Sequence, residues 1–287
     1  MSKAPNKVTN TLMDRLGIIG WPVSHSRSPL IHNHWLNEMG LAGRYERCPI
    51  DPNADFKTAL RDLAQGGFIG ANVTVPHKEN AFAAMDTLDA AAQSLGAVNT
   101  ISFQDGQMHG SNTDGAGFIA GLDAVAPQHG WRNHPALVLG AGGAARAIIV
   151  ALAAQGVPRI HLVNRTKQRA EALGPLAPQL HIGDWAARAE LAKGCYLLVN
   201  TTSLGMQGAP PLDMPLDHLP PQALVSDIVY TPLETDLLAR ARQAGLQTVD
   251  GLGMLLHQAA LAFEIWLGQK PPVTAQLRQL LLDDLAG

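Results

Sequence analysis

Cysteine is nearly absent: Cys48 and Cys195 are the only two in 287 residues, too few and too far apart for a disulfide framework or a cysteine-ligated zinc site. Eleven histidines are present, but none falls in a His-Glu-x-x-His or similar ligand spacing, so no resident metal is expected. An excess of charge of either sign is also missing. A net charge of −3 offers no general attraction to nucleic acid or to an anionic membrane. No long charge-free apolar run could span a bilayer, and residues 1–16 lack the apolar core of a signal peptide. Together with the scarcity of cysteine, this makes the cytoplasm the expected compartment. Internal repeats and low-complexity tracts are missing as well.

What remains is a globular balance of 46% apolar and 16% charged residues, with chain enough for two domains. Strand-like and helix-like segments alternate. Residues 16–20 predict a strand, 29–39 a helix, 44–50 a strand, 56–65 a helix and 68–75 a buried strand. From Pro76 a helical run extends through Ala81, Phe82, Met85, Leu88 and Ala92. A second series begins with a strand at 136–140, followed by a helix to 155 and a strand at 160–164. It continues with a helix from 167 and strands at 196–200 and 224–229. This βαβα order predicts parallel sheets with helices on both faces. The apolar helices at 253–267 and 273–282 need a partner surface, which periodicity does not identify.

Gly140-Ala141-Gly142-Gly143-Ala144-Ala145 follows an apolar strand and opens a helix. There, glycines let the backbone approach a pyrophosphate, and the helix N-terminus offers free N–H donors. About 20 residues on, where an NAD-selective site would place a carboxylate, stand Asn164, Arg165, Thr166 and Arg169. Arginine grips a ribose 2′-phosphate that a carboxylate would repel, so the expected cofactor is NADP.

Lys78 falls in the first turn of a helix, where the backbone dipole disfavours a cation. Such a lysine suits general acid/base work. Ser26 and Ser28 flank a helix start and can cradle a carboxylate. Asn99 interrupts an apolar strand. Asp114 is either a helix cap or a site residue. Gln258 sits on an apolar stripe with Met254, Leu255, Leu261 and Ala262, where a buried amide must find a partner in the core or on a polyhydroxylated ligand.

With these residues in place, the chain resembles the shikimate dehydrogenase family from about residue 16 to 267. The matching motifs are Ser26-x-Ser28-Pro29, Asn72-Val73-Thr74-x-Pro76-x-Lys78, Ala97-Val98-Asn99-Thr100, Asn112-Thr113-Asp114-Gly115 and Gly140-Ala141-Gly142-Gly143-Ala144. They continue through Asn164-Arg165-Thr166-x-x-Arg169, Asn200-Thr201-Thr202-Ser203-x-Gly205-Met206, Asp227-x-x-Tyr230-x-Pro232-x-x-Thr235 and Gly253-Met254-x-x-x-Gln258. Departures are small: Thr201 stands where Ala is commoner, and Thr231 where Asn often sits.

The resemblance implies an α/β chain of two domains, a parallel-sheet substrate domain (1–115 and 253–287) and a Rossmann-type doubly wound NADP domain (116–252), with a cleft between them. It implies reversible, NADPH-dependent reduction of 3-dehydroshikimate to shikimate, in aromatic amino acid biosynthesis. Lys78 and Asp114 would be the catalytic pair. Ser26 and Ser28 would hold the carboxylate, and Thr74, Lys78, Asn99, Asp114 and Gln258 the ring hydroxyls, with Tyr230 nearby. The cofactor would meet Gly140 to Ala144, that is Gly140, Ala141, Gly142, Gly143 and Ala144, then Asn164, Arg165, Thr166, Arg169, Thr201, Ser203, Gly253 and Met254. The expected partner is a small-molecule substrate, with no nucleic acid and no membrane; a homodimer is left open. The competing readings are an NAD-using quinate/shikimate dehydrogenase, a non-catalytic binding regulator that should have lost Lys78 or Asp114, and a folate-linked methylene dehydrogenase that would need neither the paired serines nor Gln258.

Overall fold

The computed structural model describes residues 13–286; the expectation drawn from residues 1–16 about a signal peptide falls mostly outside the described residues. The first half runs β1 (Asp14–Gly20), α1 (Ser28–Glu38), β2 (Gly43–Pro49), α2 (Phe56–Gln65), β3 (Phe68–Val73), α3 (Lys78–Ala84), β4 (Thr87–Leu88), α4 (Ala90–Leu95), β5 (Thr100–Gln104), β6 (Gln107–Ser111) and α5 (Asp114–Val125). The second runs β7 (Ala136–Leu139), α6 (Gly143–Ala154), β8 (Ile160–Val163), α7 (Lys167–Glu171), β9 (Leu180–Gly183), α8 (Arg188–Leu191), β10 (Leu197–Asn200), β11 (Leu224–Asp227), α9 (Asp236–Gln243) and β12 (Gln247–Val249). Two helices close the chain, α10 (Gly251–Leu267) and α11 (Ala275–Ala286).

These strands form two six-stranded sheets, ordered β2-β1-β3-β5-β6-β4 and β12-β11-β10-β7-β8-β9. The second is parallel throughout and buried on both faces. Ala136 and Val138 point toward Ile148 and Leu152 of α6, while Leu137 and Leu139 point toward Leu237 and Leu238 of α9. This period of two, apolar on both sides, is what a covered parallel sheet requires. The chain winds from β7 outward to β9, then returns to β10 and winds the other way. Loops at such a switch point leave a crevice at the carboxyl ends of the strands.

The first sheet departs from the parallel expectation. Strand β5 runs antiparallel to both β3 and β6; a tight turn at Asp105-Gly106, both at positive φ, folds β6 straight back along it. A two-residue hairpin can join only antiparallel strands. Its other pairings are parallel, with a switch point between β1 and β3.

The helical run expected from Pro76 is also corrected. Residues 74–77 form a turn in which the His77 N–H donates to the Thr74 carbonyl (3.0 Å), so α3 begins at Lys78 and Pro76 lies outside it. The helix stops at Met85, whose backbone is extended. Thr87 and Leu88 then pair with His109 and Gly110 of β6. Tertiary pairing overrides helix propensity there.

Helix α10 joins the two halves. Asp250 caps its start by accepting from the Leu252 N–H (3.1 Å), beside β12 of the second sheet. Near its end, the Trp266 indole donates to the Ile101 carbonyl of the first (2.9 Å). Between these ends it packs antiparallel on α5, with Gly117 against Gln258 and Gly121 against Gly253 and Met254. Among the described residues, no helix is long and apolar enough to cross a membrane.

Candidate active site

The switch point of the first sheet opens toward a cavity of about 390 Å³, bordered on its far side by Ile228 and Tyr230, which follow β11 of the second. Ser26 and Ser28 reach it from the loop after β1, and Thr74 and Lys78 from the turn after β3. Asn99 and Asp114 approach from the ends of β5 and β6. Tyr230, Met254 and Gln258 close it from β11's loop and α10. All eight residues expected to bind or transform the substrate therefore line one space.

Lys78 Nζ donates to Asp114 Oδ2 at 2.5 Å. The two residues occupy the first positions of α3 and α5. A carboxylate is favoured at a helix N-terminus and an ammonium is not, so Asp114 offsets the unfavourable placement of Lys78. The carboxylate is held in turn: Asn99 Nδ2 donates to Asp114 Oδ1 (2.8 Å), and Asn112 Oδ1 accepts from the Asp114 N–H (3.1 Å). The lysine side chain is 28% exposed and the aspartate 12%, leaving the ammonium open toward the cavity.

Asn99 is buried and fully engaged. Its Nδ2 also donates to Thr113 Oγ1 (3.0 Å), and its Oδ1 accepts from the Thr113 N–H and the Thr100 hydroxyl, both at 2.9 Å. In this arrangement it orients Asp114. Asn72, a cavity residue not expected from sequence alone to be a site member, behaves alike. Its Nδ2 donates to Asn99 O and Thr100 Oγ1, both at 3.2 Å, and its Oδ1 accepts from the Tyr45 hydroxyl (2.7 Å). The signal was available, since an amide in the apolar β3 needs partners just as Asn99 does. Gln258 Nε2 donates to its own helix at Leu255 O (3.0 Å), and its oxygen accepts from no group among the described residues.

A second cavity of about 220 Å³ shares Lys78 and Asp114 with the first and extends to Ala141, Gly142, Gly143 and Arg146 at the start of α6. Gly140 has φ +105°, and a Cβ there would lie 2.7 Å from Thr201 Oγ1. Only glycine fits this turn. Thr201 Oγ1 donates to Leu139 O (2.7 Å), binding the β10 loop to the glycine turn. Around Gly142 and Gly143 a Cβ would meet nothing, so backbone N–H groups are open to a phosphate. At the end of β8, Asn164 Nδ2 donates to Thr166 O (2.7 Å). Arg165 and Arg169 are exposed, and neither has an ion-pair partner among the described residues. Ser203 is exposed above β10. These donors fit a phosphorylated dinucleotide. Gly253 lies apart from both cavities, packed on Gly121.

The site's deeper support is polar. Asp227, fully buried at the end of β11, accepts from Asn200 Nδ2 (2.9 Å), the Val229 N–H (3.0 Å) and the Thr235 hydroxyl (2.8 Å). This ties β10, β11 and the cap of α9 together. Burial pushes its carboxyl pKa up, against those three hydrogen bonds.

Models of known families match three stretches: the shikimate dehydrogenase substrate binding domain over residues 18–101, shikimate/quinate 5-dehydrogenase over 124–182, and the shikimate 5′-dehydrogenase C-terminal domain over 251–282. The shikimate dehydrogenase (NADP(+)) of Paramagnetospirillum magneticum is 52% identical over 93% of this chain and 97% of its own length. That of Methylobacterium radiotolerans is 52% identical over 95% and 98%. Among solved structures, the shikimate 5-dehydrogenase of Thermus thermophilus in complex with NADP(H) and shikimate superposes with a TM-score of 0.82 at 38% identity, covering 91% of this chain and 95% of that one. The quinate dehydrogenase of Corynebacterium glutamicum in complex with NAD gives 0.88 at 31%, covering 94% and 99%.

Proposed function

The chain belongs to the shikimate dehydrogenase family, and from that membership we propose that it reversibly reduces 3-dehydroshikimate to shikimate with NADPH, in aromatic amino acid biosynthesis. The observation that carries this reading is the Lys78–Asp114 pair, 2.5 Å apart and common to both cavities. A proton donor there serves a substrate in one cavity and faces a cofactor in the other.

Residues 1–115 and 253–287 form the substrate unit in this reading, and 116–252 the NADP unit. NADPH, when bound, supplies the hydride for the carbonyl carbon. The chain supplies the rest. Ser26 and Ser28 hold the carboxylate, and Thr74 and Gln258 accept or donate at the ring hydroxyls, with Tyr230 at the rim. Lys78 Nζ gives a proton to the oxygen that becomes the new hydroxyl, and takes it back in the oxidative direction. Asp114 keeps the ammonium in place, and Asn99 keeps Asp114 in place. Gly142, Gly143 and the α6 N-terminus hold the pyrophosphate, and Arg165 and Arg169 the 2′-phosphate. Two free thiols, Cys48 and Cys195, support a reducing cytoplasm as the setting.

Absorbance at the reduced-nicotinamide band, with shikimate or quinate against NADP or NAD, tests this. Fast reduction of NADP by shikimate alone is expected. Comparable rates with quinate or NAD would move the protein to a dual-substrate activity, and inertness with every pair would leave it a binding protein.

A further inference from the structure

The carboxylate end of the substrate cavity holds a cation that the reaction does not use. Arg27 stands between Ser26 and Ser28 and lines the cavity, its side chain 28% exposed. Its Nη1 donates to the His25 carbonyl (2.9 Å), and its buried Nε lies in ion-pair contact with the Asp284 carboxylate of α11 without an aligned hydrogen bond. Nη2 has no partner among the described residues. Arg47 Nη2 donates to the Ser26 carbonyl (3.0 Å), so two guanidiniums brace the loop that carries both serines. Lys78, the cavity's other fixed cation, is committed to Asp114.

Hydroxyls and backbone N–H groups receive a neutral amide or alcohol nearly as well as a carboxylate. A fixed positive charge is what separates them. Resting on the reading of this cavity as a site for a ring acid, we propose that Arg27 is the residue that makes it select an anionic carboxylate, and that Asp284 limits how tightly that carboxylate is held. The guanidinium fork can keep a nitrogen on Asp284 while turning Nη2 to the substrate, which an ammonium's point charge does less well. Asp284 lies on the last helix with its side chain 42% exposed, so water screens it and it weakens the charge on Arg27 without cancelling it.

The test compares the parent, Arg27→Gln, Arg27→Lys and Asp284→Asn. Steady-state kinetics with shikimate is paired with equilibrium binding of shikimate and of its neutral carboxamide. Arg27→Gln is expected to raise KM and Kd for shikimate about 10–100-fold, the range of a charge-assisted bond. The kcat should stay within a few-fold, and carboxamide binding should be unchanged. Arg27→Lys should recover part of the loss, and Asp284→Asn should tighten shikimate a few-fold. Equal weakening toward acid and amide would reduce Arg27 to a brace for the loop and overturn the proposal, as would no weakening at all. A parent that binds shikimate but does not oxidise it would sink the proposed reaction instead, while the acid-against-amide comparison would still decide on Arg27.

Discussion

Gly117 on α5 lies so close to Gln258 on α10 that a Cβ added to it would sit 2.5 Å from the Gln258 Cβ and 2.6 Å from its backbone nitrogen. Substituting alanine would gain at most about 1 kcal/mol of helix propensity. Overpacking against backbone atoms that cannot swing aside costs about 1–3 kcal/mol, so repulsion wins. Gly117→Ala is therefore expected to lower the urea midpoint and, by pushing Gln258 from the cavity, to raise KM for shikimate more than KM for NADP. A variant as stable as the parent with unchanged KM would mean that the helices separate freely.

Removing the ammonium tests the chemistry directly. Lys78→Ala should cost about 10²–10⁴ in kcat, the usual weight of a positioned acid/base. NADPH binding, read by nicotinamide fluorescence, should stay within a few-fold. Asp114→Asn keeps the shape but breaks the 2.5 Å ion pair, and should also fall mainly in kcat. If Lys78→Ala turned over within a few-fold of the parent, another group would be moving the proton.

Why these residues stood out in the sequence, and others did not, has a physical reason. Asn99, Gln258 and Lys78 each break a local pattern, an amide on an apolar element or a cation at the wrong helix end, and such breaks are visible one residue at a time. The glycine turn and Arg165 are legible for the same reason, because strand, turn and helix are consecutive. The reversed direction of β5 was not legible. A half-buried strand of this length reads the same in either direction, and its partners decide. Likewise, Asn99 looks like a ligand for a hydroxyl, yet its donors go to Thr113 and Asp114, partners that only the fold brings near. Arg27 carries no such mark, because an arginine in a serine-rich loop is ordinary until the fold sets Asp284 beside it.

In the proposed reading, cofactor choice rests on two exposed arginines, Arg165 and Arg169. Arg165→Ala and Arg169→Ala should each weaken NADP by about 10-fold or more, the scale of one charged hydrogen bond to phosphate. NAD, lacking the 2′-phosphate, should be nearly unaffected. Titrations with both cofactors at fixed ionic strength make the comparison. Parallel losses for both would place these arginines on the pyrophosphate or on the fold, and remove the basis for NADP selectivity at this position.

The last prediction concerns acid stability and a residue outside the chemistry. His32 is fully buried, stacked on Tyr45 with ring centroids 4.2 Å apart and planes at 4°, and edge-on to Trp35 at 5.5 Å. Burial lowers its pKa to about 3, with Asn72 acting weakly in the opposite direction. The folded pKa lies below the ordinary value of 6.5, so the folded protein binds fewer protons than the unfolded chain between the two. Stability is complete above that ordinary value and is lost as pH falls toward the folded one, at about 1.4 kcal/mol per pH unit. His32→Phe keeps a flat ring against Tyr45 and removes the titration. Urea unfolding of parent and variant should therefore diverge as the pH is lowered, with the variant gaining about 2–3 kcal/mol relative to the parent over the two units below the ordinary value. Parallel curves would show that the imidazole takes up its proton in the folded state without penalty, and that the aromatic nest around it admits water.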